Sequence, residues 1–302
     1  MSIQDLEYFA AVCRERSINR AAKLLYITPQ GLSKSIKALE QELNAKLLNR
    51  SSSGITLTEC GRYLQEHLDA FLENYYSICR GIQSITQRQN HEIDLLSAYG
   101  ILRLVTPECL TDFQRQHPEI RLHYREYPDR QVERLFSAKE GNVAFTIAPV
   151  SPGDCAVQKL ESFEIKLLVN RSHPLSGRET VTIGDLRGEP LYIESSEFQI
   201  YHLITDRGRE AGFEPVIVFE TSGFSLCHKM VRQNKGISVT VDFIFEDMQD
   251  PELVSIPFSD GNYRWTTCMV TRKEDMDNPD LLLFRNHILH WMEDIKTGRI
   301  RR

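Results

Sequence analysis

Between residues 17 and 50 the apolar positions recur at helical spacing in two short runs, which predicts two short helices joined by a tight turn. In the second run Leu32, Ile36, Leu39 and Leu43 follow one another in steps of four, three and four, so a helix over 29–43 turns one stripe inward. Thr28 supplies a hydroxyl N-cap, and Pro29 occupies the first helical position, where its missing N–H costs nothing. Gln30, Ser33, Lys34 and Lys37 fall on the opposite, polar face. Upstream, Ala21 and Ala22 are small enough to let the two helices approach closely, as a helix-turn-helix requires. Residues 47–50 and 55–57 then flank Ser51, Ser52, Ser53 and Gly54, the pattern of a two-stranded hairpin with a polar tip.

A longer pattern starts at Thr58 and Glu59, an N-cap residue and a first-turn acid that favour a helix start. Leu64, Leu68, Phe71, Tyr75, Ile78, Ile82 and Ile85 alternate in steps of four and three, a heptad seam that predicts pairing with a second copy of the helix. From residue 92 the pattern changes. Strands are expected over 93–97, 120–126 and 143–147 with helices over 102–116 and 130–139 between them, and a turn-rich stretch follows over 149–154. A second set has strands over 165–170, 191–194, 216–221 and 236–241 and helices over 199–211 and 224–233; a strand over 265–271 and a helix over 280–297 close the chain. Such alternation predicts parallel sheets.

Charge sharpens the reading of the first part. Residues 14–50 carry eight basic side chains against three acidic ones inside a chain of net charge -6, and local positive charge drives phosphate binding. On the Gln30, Ser33 and Lys34 face alone, an amphipathic helical hairpin with solvated lysines fits as well as a DNA reader; cap, hairpin and charge together favour DNA. Residues 91–302 hold 25 basic against 33 acidic side chains and are not expected to be a nucleic-acid surface. No signal segment opens the chain and no apolar run is long enough to span a membrane, so a soluble cytoplasmic protein with no membrane partner is expected. The seven cysteines are odd in number and free of CxxC, which fits reduced, mostly buried thiols. His287 and His290 share a helix face but lack further ligands and read as surface residues, so no metal site and no cofactor are expected. No P-loop, no GxGxxG and no set of nucleophile, base and orienter is present, which argues against an enzyme.

Residues 3–72 resemble the LysR-type transcriptional regulators. The likeness is carried by Tyr8-Phe9, Ala21-Ala22, Leu32-Ser33, the run 36–40, Leu43, Leu47, Arg50, and Leu57-Thr58-Glu59 followed by Gly61. One departure is local: the family commonly has Gln-Pro after the cap residue, where this chain has Pro29-Gln30 and then Gly31, so base preferences do not transfer. The second half is similar to the family's effector-binding domain, through the HPL of 173–175, Asp185-Leu186, Glu189-Pro190 and the segment 223–239.

The resemblance implies a winged helix-turn-helix domain over 1–58, a linker and dimerisation helix over 59–90, and an α/β effector domain over 91–302 with the two-lobe fold of periplasmic solute-binding proteins. Lobe I would comprise 91–160 and 266–302, and lobe II 161–265. The expected DNA contacts are Ser17, Thr28, Pro29, Gln30, Ser33, Lys34, Lys37, Arg50, Ser52 and Ser53. Ligands of open α/β sheets sit beyond the carboxyl ends of the strands, which here selects Ser97, Tyr99, Gly100, Tyr127, Ala148, Ser195, Ser196, Phe198, Thr221 and Ser222. Each of these also has a plain role as a helix cap or loop residue. The expected partners are double-stranded promoter DNA, a second copy in a homodimer or homotetramer, an unidentified small-molecule effector, and RNA polymerase as a further candidate. The alternatives are a constitutive regulator with an occluded cleft and, more remotely, an enzyme using the two lobes.

Overall fold

The first helix, α1 (Ile3–Glu15), starts on a capping box in which Ser2 accepts from the Asp5 backbone and the Asp5 carboxylate accepts from the Ser2 backbone in return. In the computed structural model, which describes residues 1–51, 54–89, 91–150 and 153–300, the chain divides into two compact units, Met1–Gln83 and Ser84–Arg302.

In the first unit α2 (Ile18–Leu24) and α3 (Pro29–Glu42) form the helix pair. Leu32, Ile36 and Leu39 of α3 close over Phe9, Val12, Ala21 and Ala22 in an apolar core. Leu43 departs from the expected stripe: it is the C-cap residue and 39% exposed, because the helix ends before its face can turn inward. Strands β1 (Leu48–Ser51) and β2 (Gly54–Leu57) pair antiparallel with Leu48 opposite Leu57, and the tip residues Ser52 and Ser53 lie outside the described residues. Helix α4 (Glu59–Gln89) follows, started by Thr58, whose hydroxyl accepts from the Gly61 N–H at 3.0 Å.

The second unit opens with β3 (Glu92–Ala98), α5 (Ile101–Val105), α6 (Pro107–Gln116), β4 (Arg121–Tyr127), α7 (Asp129–Ser137) and β5 (Val143–Ile147). The single helix expected over 102–116 is two, broken at Thr106, which takes φ 71°. Pro107 disfavours a helical conformation at the residue before it. Strands β3, β4 and β5 are mutually parallel, as expected, but the sheet is mixed. The sixteen-residue β6 (Cys155–Asn170) and β11 (Arg264–Arg272) run antiparallel to each other, and β11 also to β5, because these two strands carry the chain from one lobe to the other and back. Their register shifts between Thr267 and Cys268, where the Thr267 hydroxyl bonds to the Glu161 backbone.

Lobe II is built on β7 (Pro190–Glu194), α8 (Gln199–Glu210), β8 (Val216–Thr221), α9 (Phe224–Arg232), β9 (Ser238–Val241), α10 (Asp242–Met248) and β10 (Leu253–Pro257). The last part of β6 pairs antiparallel with β9 and β10, and β7 pairs parallel with β8. The terminal helix α11 (Pro279–Lys296) returns to lobe I, where Phe284 packs edge-on to Phe113.

Candidate DNA-binding and effector sites

The Thr28 hydroxyl accepts from the Gly31 N–H at 3.1 Å and fixes where α3 begins. Gln30, Lys34 and Lys37 then stand exposed on one face, with Ser33 half-buried between them. Together with Pro29 and the Ile18 and Asn19 side chains of α2, they border a shallow concavity of about 490 Å³. Ser17 is occupied as the cap of α2, accepting from the Arg20 N–H at 3.3 Å. Two residues passed over in the sequence belong to this surface. Tyr26, in the turn between α2 and α3, is 96% exposed and takes φ 54°, so the turn holds an aromatic ring fully outward beside the recognition helix. The Glu40 carboxylate accepts from the N–H groups of Leu47 and Leu48 at 2.7 and 3.1 Å, tying the end of α3 to the base of the wing.

Along α4 the heptad seam divides. Leu68 is 2% exposed inside the core of the first unit and is not available to a partner helix, while half-buried Leu64 packs against the same core. This corrects the assignment of Leu68 to the dimer seam: the start of α4 lies over the wing, and its inward stripe is used by the chain itself. Phe71, Tyr75, Ile78, Ile82 and Ile85 remain exposed at unbroken heptad spacing, with Ile78 and Ile82 at 60% and 61%.

In the second unit the strand-end residues meet in part. The Tyr99 ring stacks on Phe198 at 6.3 Å between centroids, and its N–H donates to the Tyr127 carbonyl at 3.0 Å. The Ser195 N–H donates to the Thr221 carbonyl, and the Ser196 carbonyl meets the His202 ring at 2.8 Å. Ser97 is wholly buried and donates to the Ala98 carbonyl. Ala148 is held by its N–H to the Thr266 carbonyl, and Ser222 is exposed. Gly100 has φ 88° and lies against the Trp265 and Phe224 rings.

Residue by residue this is a capped recognition helix with a wing, and a two-lobe α/β unit with strand ends converging. Family comparison agrees over nearly the whole chain: the bacterial regulatory helix-turn-helix protein, lysR family, matches residues 3–62, and the LysR substrate binding domain matches residues 87–293. The chain belongs to the LysR family of transcriptional regulators. It is 29% identical over 249 residues to the HTH-type transcriptional regulator AlsR of Bacillus subtilis (strain 168), covering 80% of each. In fold it is similar to a Corynebacterium glutamicum OxyR C206 mutant, with a TM-score of 0.57 at 18% identity over 98% of this chain and 96% of that one. The same holds for full-length CbnR complexed with its target DNA, with a TM-score of 0.51 at 21% identity over 97% and 100% of the two chains.

The LysR substrate binding domain falls within the second unit, and here two buried acids stand at the boundary between the lobes. Glu194, the last residue of β7, is 3% exposed, and its Oε1 has no hydrogen-bond partner among the described residues. Asp129, the first residue of α7, accepts from the Gln199 N–H at 2.7 Å across the lobe boundary. Burial pushes the Asp129 carboxyl up to about 6 and, with the Asp129 charge beside it, pushes Glu194 well above the ordinary carboxylate range. The nearby Arg134–Glu197 ion pair and the Arg130 N–H to the Glu197 carbonyl add further links between α7 and the turn before α8. Glu194 was legible only as the end of a strand, since an acid there is by default a solvated one.

Several other titratable residues hold structural places. Burial pushes the Cys13 thiol up to about 11 and the Cys227 thiol up to about 12, which fits inert thiols, whereas Cys60 and Cys79 are exposed. His287 is not a surface residue: it is half-buried and its Nε2 lies 3.0 Å from the Cys109 carbonyl, because α11 packs that face on α6. His173 caps a 3-10 turn at Pro174–Gly177, its Nδ1 accepting from the Leu175 N–H. Among the described residues no His, Cys, Asp and Glu group is placed to hold a metal, and no helix is long and apolar enough to cross a membrane.

Proposed function

We propose that the chain acts as a homodimer on promoter DNA, with α3 in the major groove and a small molecule between the lobes biasing the arrangement of the paired reading heads. The observation that carries the reading is the outward face of α3. Gln30, Lys34 and Lys37 stand clear of a stripe, Leu32, Ile36 and Leu39, that is fully buried, so the helix presents donors and cations to a groove without disturbing the core. In this reading Gln30 and Ser33 contact base edges, Lys34 and Lys37 contact phosphates, and Tyr26 borders the contact. Nuclease protection upstream of the chain's own and neighbouring genes locates the site.

Lys34→Ala and Lys37→Ala are each expected to lower the slope of log affinity against log salt by about 1, with similar losses on all sequences. Gln30→Ala and Ser33→Ala are expected to cost about 1 to 3 kcal/mol on the native site and to relax preference at single positions. Titrations at several salt concentrations read both effects. Wild-type affinity in all four variants would remove α3 from the interface.

The exposed part of the seam supplies the dimer contact. Phe71 and Ile78 are 50% and 60% exposed, so charges there spare the fold of the single chain but would be buried in a helix pair. Phe71→Asp with Ile78→Asp is expected to give a folded monomer in sedimentation, and loss of two-headed binding should lower DNA affinity by about 100-fold or more. An unchanged sedimentation coefficient would show that α4 pairs through another face.

A constitutive regulator with a closed cleft is the second reading, and it rests on the Tyr99–Phe198 stack together with the α7 links to the turn before α8. Thermal shift against a metabolite library separates it from the ligand-responsive reading.

A further inference from the structure

In the turn between α2 and α3 one side chain takes no part in the fold. Leu25 and Ile27 pack against the apolar core of the first unit, and Tyr26 between them is 96% exposed. Among the described residues its hydroxyl makes no hydrogen bond and its ring no aromatic or cation contact. The ring is carried on a braced backbone: the N–H groups of Leu25, Tyr26 and Ile27 donate to the carbonyls of Ala21, Lys23 and Ala22 at 2.9, 3.3 and 3.0 Å. Tyr26 takes φ 54° there, a left-handed conformation that Asn or Gly adopts at lower cost than a bulky residue. A large ring held in water in an unfavourable backbone conformation stabilises nothing within the chain, and such local costs gather where a binding surface uses them.

The neighbouring charges decide what this surface meets. Residues 16–39 hold five basic side chains, Arg16, Arg20, Lys23, Lys34 and Lys37, and no acidic one. Arg20 is engaged by Glu15 at 3.7 Å, whereas Lys23, Lys34 and Lys37 are exposed and make no ion pair among the described residues. Unopposed cations favour a polyanion over a protein face of mixed charge. Thr28, two residues after Tyr26, caps α3. The N-terminal residues of a recognition helix are the ones that enter the groove, so a side chain just ahead of the cap stands at the groove edge, where the sugar-phosphate backbone passes.

We propose that Tyr26 clamps the DNA backbone: its hydroxyl donates to a phosphate oxygen at the edge of the groove that α3 enters, and its ring lies against the adjoining deoxyribose. This contact rests on the proposed placement of α3 in the major groove. A phenol is neutral, so it adds a hydrogen bond without displacing a counterion, and a phosphate carries no base identity. The contact therefore fixes the register of α3 on the duplex and adds affinity on every sequence. The braced turn holds the ring at a set distance from the helix start, which is what such positioning needs.

The test is titration of the full-length protein against the duplex located by nuclease protection and a scrambled duplex of the same composition, at several salt concentrations. Tyr26→Phe, which removes only the hydroxyl, is expected to weaken binding to both duplexes about tenfold and to leave the salt slope unchanged. Tyr26→Asn, which suits the left-handed turn and removes the ring as well, is expected to weaken both further, with thermal melts to verify folding. Ethylation of single phosphates is expected to show one position per half-site where interference with wild type is lost in Tyr26→Phe. Lys34→Ala, titrated alongside, measures the placement of α3 itself. If Lys34→Ala lowers the salt slope while both Tyr26 variants bind as wild type, α3 is on DNA and the proposal is overturned, which leaves the ring to a protein partner. If none of the three variants differs from wild type, the placement of α3 fails and the proposal with it. A loss confined to the native duplex, or one ethylation pattern shared by wild type and Tyr26→Phe, also overturns it, since the contact is then to a base or is made by another side chain.

Discussion

Gly61→Ala is expected to cost the first unit about 3 kcal/mol or more, although the substitution adds a single methyl to a helix. A Cβ built on Gly61 meets the Leu47 carbonyl oxygen at 2.1 Å and the Leu47 carbonyl carbon at 3.0 Å. That carbonyl cannot retreat easily. It accepts from the Thr58 N–H at 3.0 Å, while the Thr58 hydroxyl donates to the Lys46 carbonyl at 2.6 Å, so the start of α4 is hydrogen-bonded to the base of the wing on both sides of the contact. Alanine would have to push the helix off the wing, breaking these bonds and lifting Leu68 from the core. Circular dichroism at the helix minimum should show the transition of the first unit lowered by roughly 10 °C or more. DNA binding at 37 °C should fall with it. An alanine variant that melts and binds as wild type would mean that α4 does not sit this close to the wing.

Local signals made the reading head largely legible, because its determinants lie within a few residues of one another. Thr28, Pro29 and the stripe of Leu32, Ile36 and Leu39 fix α3 through capping and periodicity alone. The seam was legible as a pattern but not as a partner choice: the same heptad spacing serves the chain's own core at Leu68 and solvent at Ile78, and only tertiary contact separates them. In the α/β unit, errors cluster where long-range pairing overrides local pattern. The first part of β6, residues 155–164, alternates weakly and is a strand because β11 pairs with it across a hundred residues. The short α10 and β10 were missed; both lie against the lobe II end of β6. The break at Thr106 was visible in the Pro107 that follows, yet the apolar spacing through 102–113 outweighed it. Ligand-facing chemistry was the least legible part. Strand ends named Tyr99 and Phe198, which do stack, but not Glu194 or Asp129, whose character comes from burial rather than from neighbours in sequence.

The buried acids give the second large effect, read as stability against pH. Burial raises the Asp129 carboxyl from its ordinary value of 3.8 to about 6; Glu133 beside it pushes the same way, while Arg130 and the Gln199 N–H oppose. The folded state therefore keeps a proton that the unfolded chain has released between these two values, and ∂ΔG of unfolding with pH is negative there. The contribution of this group is greatest below about pH 4, falls as the pH rises towards 6 and is flat above, a loss of about 3 kcal/mol, while buried His228, pushed down to about 4, contributes in the opposite sense over the same range. Glu194, raised by burial and then by Asp129, adds a loss of the same sign, and the two titrate as a coupled pair. Asp129→Asn keeps an acceptor for the Gln199 N–H and removes the charge, so it should match wild type at pH 4 and exceed it by about 2 to 3 kcal/mol at pH 8. Glu194→Gln should stabilise in the same direction, and combining the two should give less than the sum, since each relieves part of the other's repulsion. Urea titrations at pH 4, 6 and 8 read the pattern as the difference between each variant and wild type, in which the other titrating groups cancel. If Asp129→Asn is less stable than wild type at pH 8, the Asp129 carboxylate is ionised and matched by a cation, and the boundary between the lobes is not the acidic, proton-holding junction that Glu194 and Asp129 define.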